Sequence, residues 1–308
     1  MFTSLSPTFL GQPQLSIEDV QPGDLVILGV CEATPYTPGQ TSHAAGGPSA
    51  VRQALAKYAG WTGHYDFDFG APVIGGGGRR IVDIGNLDGD PGAPEENRTR
   101  ITAAVAQILG AGATPLVIGG DDSVPIPLLA AYEAQDPFHL VQIDAHLDWR
   151  HERKGVTMGW SSPMRRASQM AWVEGIVQAG LRGPGSARPE DVRDAQRYGA
   201  SIFTARDIHT HGVGPVAEAV PQGSRCFITI DCDGLDPGVI PAVLSPVPGG
   251  LTYWQVVELI ETLSERAEII GFDLVELVPE RDLNGVGALT AGRIICNLCA
   301  ALSRARSR

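Results

Sequence analysis

Short runs of apolar residues alternate with amphipathic stretches along most of this chain. The apolar runs have the length of buried parallel strands, and the stretches between them have the period of helices. The predicted strands are 24–30, 81–85, 115–118, 138–143, 175–181, 200–203, 225–230 and 268–275. The predicted helices are 48–55, 98–109, 124–134, 162–171, 189–196, 252–266 and 290–303. This alternation predicts an α/β fold in which helices cover both faces of a parallel sheet.

No change of composition, internal repeat or linker divides the chain, so we expect residues 1–308 to form a single domain. Residues 1–20 contain prolines and no periodic pattern, and they are predicted to form an extended N-terminal arm. The irregular stretch 65–80 includes four consecutive glycines at 75–78, whose spacing is not that of a phosphate-binding loop. We interpret this stretch as a flexible connection.

Two clusters of metal-ligand residues stand directly after predicted strands, at 144–148 and at 231–233. Alternate residues of an extended segment point to the same side, and open α/β sheets bind their ligands at the carboxyl ends of the strands. Five donors would therefore face one cavity: Asp144, His146, Asp148, Asp231 and Asp233. Buried carboxylates are tolerated only when they are neutralised. The pattern predicts a site for more than one divalent cation.

The net charge of the chain is -12 at pH 7, which argues against nucleic acid or an anionic membrane as a partner. No uninterrupted apolar run reaches the roughly 18 residues of a membrane span, and the N-terminus lacks the pattern of a signal peptide. We therefore predict a cytoplasmic protein.

The five cysteines are an odd number spread through a large chain, which indicates reduced thiols rather than a disulfide framework.

Three motifs occur in an order and spacing that resemble the ureohydrolases, the family of arginase, agmatinase and guanidino-acid hydrolases. They are Gly-Gly-Asp-Asp-Ser at 119–123, Asp-Ala-His-Leu-Asp at 144–148, and Thr-Ile-Asp-Cys-Asp-Gly-Leu-Asp-Pro at 229–237, which runs on to Ser-Pro-Val-Pro-Gly-Gly at 245–250. The closing segment 273–279 is similar to the agmatinase branch. The resemblance implies an arginase-like, three-layer α-β-α fold around a mostly parallel sheet of about eight strands.

The resemblance also implies a reaction. In this family two manganese ions, or nickel in some members, share a hydroxide that attacks a guanidinium carbon and releases urea. The chemistry is metal-assisted hydrolysis. By motif, Asp144 and Asp231 would bridge the ions, Asp148 would bind the first ion, and His146 and Asp233 would bind the second. Glu276 would anchor a small cationic guanidino substrate, so that Glu276, Asp144 and Asp231 are the catalytic residues implied.

Two positions depart from the family pattern. Asp122 stands where the family has a histidine ligand of the first metal, so this site would consist of oxygen donors alone, which puts its manganese or nickel in question. Trp160 stands where related agmatinases carry a histidine shortly before a Ser-Pro pair, here Ser162-Pro163. The resemblance implies that this histidine contacts the substrate or transfers a proton. An indole cannot titrate and so cannot transfer a proton. We expect Trp160 and Ser162 to contact substrate; His151 is another imidazole nearby.

These departures leave two interpretations open. In the first, the chain is a hydrolase that cleaves a C–N bond of a guanidino, amidine or biguanide compound. In the second, it is a non-catalytic partner subunit of a heteromeric, nickel-dependent member such as metformin hydrolase. The family generally forms trimers or hexamers, so a homo- or hetero-oligomer is expected in both cases. The pairs His209/His211 and Cys296/Cys299 match no motif and are interpreted as structural.

Overall fold

The computed structural model describes residues 2–3, 6–72, 78–185 and 187–305. Its strands are β1 (Phe2–Thr3), β2 (Leu25–Val30), β3 (Tyr65–Asp66), β4 (Ala71–Pro72), β5 (Ile81–Leu87), β6 (Thr114–Gly119), β7 (Phe138–Ile143), β8 (Val173–Leu181), β9 (Ser201–Thr204), β10 (Arg225–Asp231) and β11 (Glu268–Val275). Its α-helices are α1 (Gly47–Leu55), α2 (Pro94–Gly110), α3 (Pro125–Ala130), α4 (Pro163–Ala167), α5 (Pro189–Tyr198), α6 (Ala205–His211), α7 (Gly214–Glu218), α8 (Tyr253–Arg266) and α9 (Val286–Ala305).

A nine-stranded sheet in the order β1-β5-β2-β6-β11-β10-β7-β8-β9 forms the centre of the protein. All neighbouring strands are parallel except the short β1, which runs antiparallel to β5. Parallel strands that are covered on both faces are recognised in a sequence as nearly continuous apolar runs, and β2 and β6 are buried along their whole length. The predicted parallel sheet of about eight strands is confirmed, and the two-residue β1 is the ninth.

Helices pack on both faces of the sheet and enclose two apolar clusters. One cluster includes Val51 of α1, Ile260 of α8 and Ile294 of α9. The other, on the opposite face, includes Val105 of α2 and Leu128 of α3. Because apolar residues pack against each face of the sheet, the protein has the three-layer α-β-α architecture that the sequence predicted.

Helix α9 has the length and hydropathy of a membrane span over Val286–Arg304, although polar residues interrupt its apolar run. However, 67% of its most apolar window is buried inside the fold, against α1 and α8. It also carries Asn297, which is buried and donates to the hydroxyl oxygen of Tyr253 at 2.7 Å. These contacts are those of a core helix.

The N-terminal residues are more structured than the predicted extended arm. Two short 3-10 helices form at Phe9–Gly11 and Ile17–Asp19. Phe9 and Leu10 are buried, and the backbone N–H of Phe9 donates to a carboxylate oxygen of Asp83 at 2.7 Å. Arg52 also binds Asp83, through Nε and Nη2 at 2.8 and 2.9 Å, so the arm is fastened to β5 and α1. Residues 73–77 of the predicted flexible connection lie outside the described residues.

Other helices also differ from the prediction at their ends. Helix α2 begins at Pro94 rather than at residue 98, with proline in its first turn and two glutamates beside it, both of which favour a helix start. Helices α6 and α7 were not predicted because each is short and lacks an apolar stripe of helical period. Thr252 is the N-cap of α8, and its Oγ1 accepts the backbone N–H of Gln255 at 3.2 Å.

Candidate metal centre

The predicted ligands meet at the carboxyl ends of four neighbouring strands. The segment 120–123 follows β6, the segment 144–148 follows β7, Asp231 ends β10, and Glu276 follows β11. The order β6-β11-β10-β7 places these strand ends side by side. They adjoin a cavity of about 330 Å³, which is lined in part by His146, Asp148, Asp231, Asp233 and Glu276. The fold therefore brings the separate motifs together.

Two groups of side chains are arranged as metal ligands. Asp122, Asp144 and Asp231 form the first group, and Asp144, His146 and Asp233 form the second. Within each group the donor atoms lie within 4.8 Å of one another. Asp144 belongs to both groups, which is the arrangement that a pair of cations with a shared carboxylate requires. Asp231 belongs to the first group only, although the resemblance implied that it bridges the ions.

Asp148 lies in the same cavity but belongs to neither group. Its φ angle is +51°, in the left-handed region that non-glycine residues seldom occupy. Its Oδ2 accepts Gln142 Nε2 at 3.4 Å. Glu276, across the site, also has a positive φ of +62°. Such backbone conformations persist where the surroundings impose them, and they concentrate at functional sites.

Hydrogen bonds fix the orientation of Asp144, the shared residue. Its Oδ1 accepts the backbone N–H of His146 and its Oδ2 accepts Gln142 Nε2, both at 2.6 Å. Gln178 Nε2 donates in turn to Gln142 Oε1 at 2.5 Å, and Trp149 Nε1 donates to Gln178 Oε1 at 2.8 Å. This buried chain of hydrogen bonds was not predicted. Gln142 stands two residues before Asp144, on the same side of the extended segment, and this spacing could have revealed it.

The carboxyl groups of the site perturb one another strongly. Burial, and then the charges of neighbouring carboxylates, raise the pKa of Asp122, Asp144 and Asp231 well above its usual range. Burial acts to lower the pKa of His146, but its hydrogen bond to Asp233 and the surrounding negative charge outweigh this and raise it to about 9. The site has more negative charge than its buried position tolerates without a counterion.

The side chains of the two ligand groups are also suited to binding cations. Asp122 is 3% exposed, and its Oδ2 has no hydrogen-bond partner among the described residues. Buried oxygens are almost always satisfied, so an orphaned one inside a cluster of carboxylates indicates an absent ligand. The first group consists of oxygen donors alone, whereas the second includes the imidazole of His146. Divalent cations fit both groups.

Glu276 is held at both carboxylate oxygens. Its Oε1 accepts the backbone N–H of Asp122 at 3.0 Å, and its Oε2 lies 2.5 Å from His43 Nε2. Burial raises the pKa of Glu276, although the contact with His43 opposes this shift. His43 belongs to no sequence motif, and the structure brings its imidazole into direct contact with Glu276.

Trp160 lines the cavity and packs against aromatic neighbours. Its ring centroid lies 4.0 Å from that of Tyr36 and 5.2 Å from that of His43, the latter edge to face. Among the described residues, Ser161 lines the cavity at the place predicted for Ser162. Ser162 is fully buried. Trp160 therefore lines the cavity, as expected of a residue that contacts substrate. Ser161 lines it as well, whereas Ser162, for which the contact was predicted, does not.

The remaining motif residues have structural roles in the part of the chain that the structure describes. Asp236 accepts the backbone N–H groups of Gly238, Gly249 and Gly250, so it organises the loop after β10. Cys232 is buried in the core, as expected for a side chain between two ligands. His209 contacts the backbone oxygen of Gly250 at 3.0 Å and belongs to neither ligand group.

Comparison with known proteins gives the same assignment. The model of the arginase family matches residues 23–300. N(1)-aminopropylagmatine ureohydrolase of Thermus thermophilus is 35% identical over 206 residues, which are 66% of this chain and 68% of that one. The enzyme of the same name from Thermococcus kodakarensis is 32% identical over 275 residues, 88% of each chain.

Among solved structures, proclavaminate amidino hydrolase from Streptomyces clavuligerus superimposes with a TM-score of 0.82 and 27% identity, over 98% of each chain. The family model covers most of the chain, and the shared fold includes the strand ends that carry the two ligand groups. The chain therefore belongs to the arginase family of ureohydrolases.

Proposed function

We propose that this protein hydrolyses a guanidino compound at a site that holds two divalent cations, and that urea is a product. The observation that carries the proposal is the position of Asp144 in two ligand groups beside Glu276. In the reaction the oxygen of water bonds to the guanidinium carbon, a C–N bond breaks, and the amine leaves with a proton. The relatives named above as ureohydrolases support this reaction class.

The two ligand groups would hold the cations, manganese or nickel. Asp122, Asp144 and Asp231 would hold one ion, with Asp148 close by, and Asp144, His146 and Asp233 would hold the other. Bound there, the ions would lower the pKa of water and polarise the site. Hydrogen bonds from Gln142 and the backbone of His146 keep the shared carboxylate in position.

Glu276 would bind the planar guanidinium, because a carboxylate pairs with two N–H groups of such a cation. Trp160 forms an apolar wall of the cavity, which would exclude bulk water from one side of the substrate. Asp231 and Asp233 line the same cavity, so a guanidinium on Glu276 would lie next to the metal ligands. These positions support catalytic roles for Glu276, Asp144 and Asp231.

Urea release tests this proposal. The purified chain would be loaded with Mn²⁺ or Ni²⁺ and supplied with a panel of guanidino compounds. We expect urea from at least one compound, and none from the Glu276→Gln variant. An exposed carboxylate outside the cavity offers a matched control, and Asp136→Asn should keep the activity. If the metal-loaded chain releases no urea from any compound, the proposal is wrong for the chain alone.

A second candidate function is that of a non-catalytic partner subunit. Two features favour it: the first ligand group has no imidazole, and Trp160 lines the cavity at a position where the resemblance to agmatinases implies a histidine. Such a subunit would show little metal or turnover by itself, and it would raise the activity or solubility of a second ureohydrolase subunit. Co-expression with a neighbouring ureohydrolase gene product, followed by metal and urea assays of each subunit, separates the two functions.

We further propose that residues 1–308 form one ureohydrolase domain that assembles into a homo- or hetero-oligomer, a trimer or a hexamer. Three exposed aromatic side chains, Trp61, Tyr65 and Phe67, cluster around a surface cavity and support an interface there. The five free cysteines suit the cytoplasm, where thiols stay reduced. Light scattering of the purified protein would give the oligomeric state.

A further inference from the structure

Three arginines line the same cavity as Glu276: Arg150, Arg153 and Arg188. Arg150 and Arg153 belong to the loop after β7, and Arg188 is the N-cap of α5, which follows β8. Glu276 instead follows β11. In the sheet order β11-β10-β7-β8, Arg150 and Arg188 therefore approach the cavity from the β7–β8 side of Glu276, whereas Arg153 lies against the ring of Tyr36 in the loop after β2. We call these three residues the arginine rim.

The carboxylates of the protein neutralise the positive charge of the arginine rim only in part. The closest carboxylate to Arg188 is that of Glu190 at 3.9 Å, and both side chains are more than half exposed. Such a surface pair contributes little. Arg150 Nε lies 3.5 Å from Asp191 Oδ2, an oxygen that also accepts the backbone N–H of Arg188 at 3.0 Å. Both arginines therefore retain donors for a ligand.

Arg153 is the member of the arginine rim whose charge is least paired with carboxylates. Within the described ranges it makes no ion pair, and its guanidinium carbon lies 5.2 Å from the ring centroid of Tyr36. Tyr36 also packs on Trp160, and its hydroxyl oxygen accepts the backbone N–H of Ser161 at 2.9 Å. The aromatic face thus holds a guanidinium beside the cavity wall without satisfying its N–H donors.

The cavity is consequently lined by charges of both signs. Glu276 and the metal ligands can bind a cation, and the arginine rim can bind an anion. A substrate with a second ammonium group at its far end would meet three positive charges there. A substrate with a carboxylate at that end would meet donors suited to paired, charge-assisted hydrogen bonds.

We infer that the arginine rim is a carboxylate-binding subsite and that the substrates are guanidino acids, which carry a guanidinium at one end and a carboxylate at the other. This inference rests on the proposed function, because it assumes that Glu276 receives the guanidinium. It assigns Arg150, Arg153 and Arg188 as residues that determine specificity, and it separates this chain from enzymes that act on guanidines with a cationic tail.

The test compares three compounds that differ mainly in the charge of the tail: 4-guanidinobutyrate, butylguanidine and agmatine. Binding to the metal-loaded full chain is measured by calorimetry, and urea release is measured in parallel. We expect guanidinobutyrate to be preferred over agmatine by about tenfold or more, with butylguanidine between them. The Arg153→Gln variant should reduce this preference about tenfold while changing the affinity for butylguanidine little.

Arg206→Gln serves as the control for the loss of one positive charge, because Arg206 is exposed on α6 and does not line the cavity. It should leave the preference unchanged. Equal or tighter binding of agmatine, or an unchanged preference in Arg153→Gln, would overturn the inference and leave the proposed function intact. If none of the three compounds binds or releases urea, the proposed function itself fails, and the inference fails with it.

Discussion

The imidazole of His43 lies 2.5 Å from Oε2 of Glu276, the residue that would anchor the substrate. The other carboxylate oxygen of Glu276 already accepts the backbone N–H of Asp122 at 3.0 Å. A guanidinium that pairs with a carboxylate uses both oxygens. Substrate must therefore displace His43 from Oε2 or share that oxygen with it. His43 therefore competes with the substrate for Oε2 of Glu276.

Replacing His43 by alanine should strengthen substrate binding. The change frees Oε2 of Glu276, so KM for a guanidino substrate should fall about tenfold, with kcat changed much less. Steady-state urea release measures both constants. The matched control is His211→Ala at the exposed end of α6, which should alter neither constant. A rise in KM would show that His43 supports the anchor rather than competing with substrate.

Restoring an imidazole at position 122 should strengthen the first metal site. Asp122 is buried with an orphaned oxygen, in a group that contains only carboxylates. In the Asp122→His variant an imidazole, a preferred ligand of nickel, replaces one of several carboxylates that repel one another. We expect tighter nickel binding and about tenfold faster urea release.

The Asp122→Asn variant distinguishes the two causes of this effect. It removes the same charge without adding an imidazole, so it should not reproduce the gain in metal affinity. Metal titrations of both variants and of the unaltered chain measure the effect of the lost charge and of the added imidazole separately. If Asp122→His binds metal more weakly than the unaltered chain, the carboxylate is the better ligand in this site.

Buried Asp273 should make the stability of the protein depend on pH. Burial raises its pKa from 3.8 to about 8, despite a hydrogen bond from Thr229 at 2.7 Å. Because the folded pKa lies above the unfolded value, the contribution to stability is complete below pH 3.8 and is lost progressively as pH rises to about 8. The Asp273→Asn variant should lose less stability than the unaltered chain over that range.

Thermal unfolding of the metal-loaded proteins at several pH values measures this difference. Comparing the two proteins at each pH removes the contribution of the metal-site carboxyl groups, which is common to both. Parallel stability curves would mean that Asp273 does not carry the pH dependence. The matched control is Asp136→Asn, whose exposed side chain should leave the pH profile unchanged.

Much of the fold could be predicted from the sequence because parallel strands are buried on both faces. The runs that became β2, β6 and β7 are mostly apolar, and their predicted boundaries lie within about one residue of those in the structure. Helices α6 and α7 escaped prediction because they are short and also lack an apolar stripe of helical period. Their existence depends on contacts made by the folded protein rather than on a periodic pattern.

The candidate site was predictable where its residues stand in sequence motifs, and less so where folding brings distant residues together. Asp144 and Asp231 follow strands, so their spacing indicated a shared site. The contact between His43 and Glu276 joins residues 233 positions apart, and no local pattern encodes it. The arginine rim was also missed, since arginines in a charged loop are usually solvated. Only the cavity shows that Arg153 faces the site.

Asp144 belongs to both ligand groups, so metal content is the most direct test of a site for two cations. Elemental analysis of the purified chain should find about two divalent ions per chain, and the Asp144→Asn variant should lose both. Asp136→Asn should retain both ions. Absence of metal from the unaltered chain when manganese or nickel is supplied, or retention of both ions by Asp144→Asn, would exclude the proposed two-cation site.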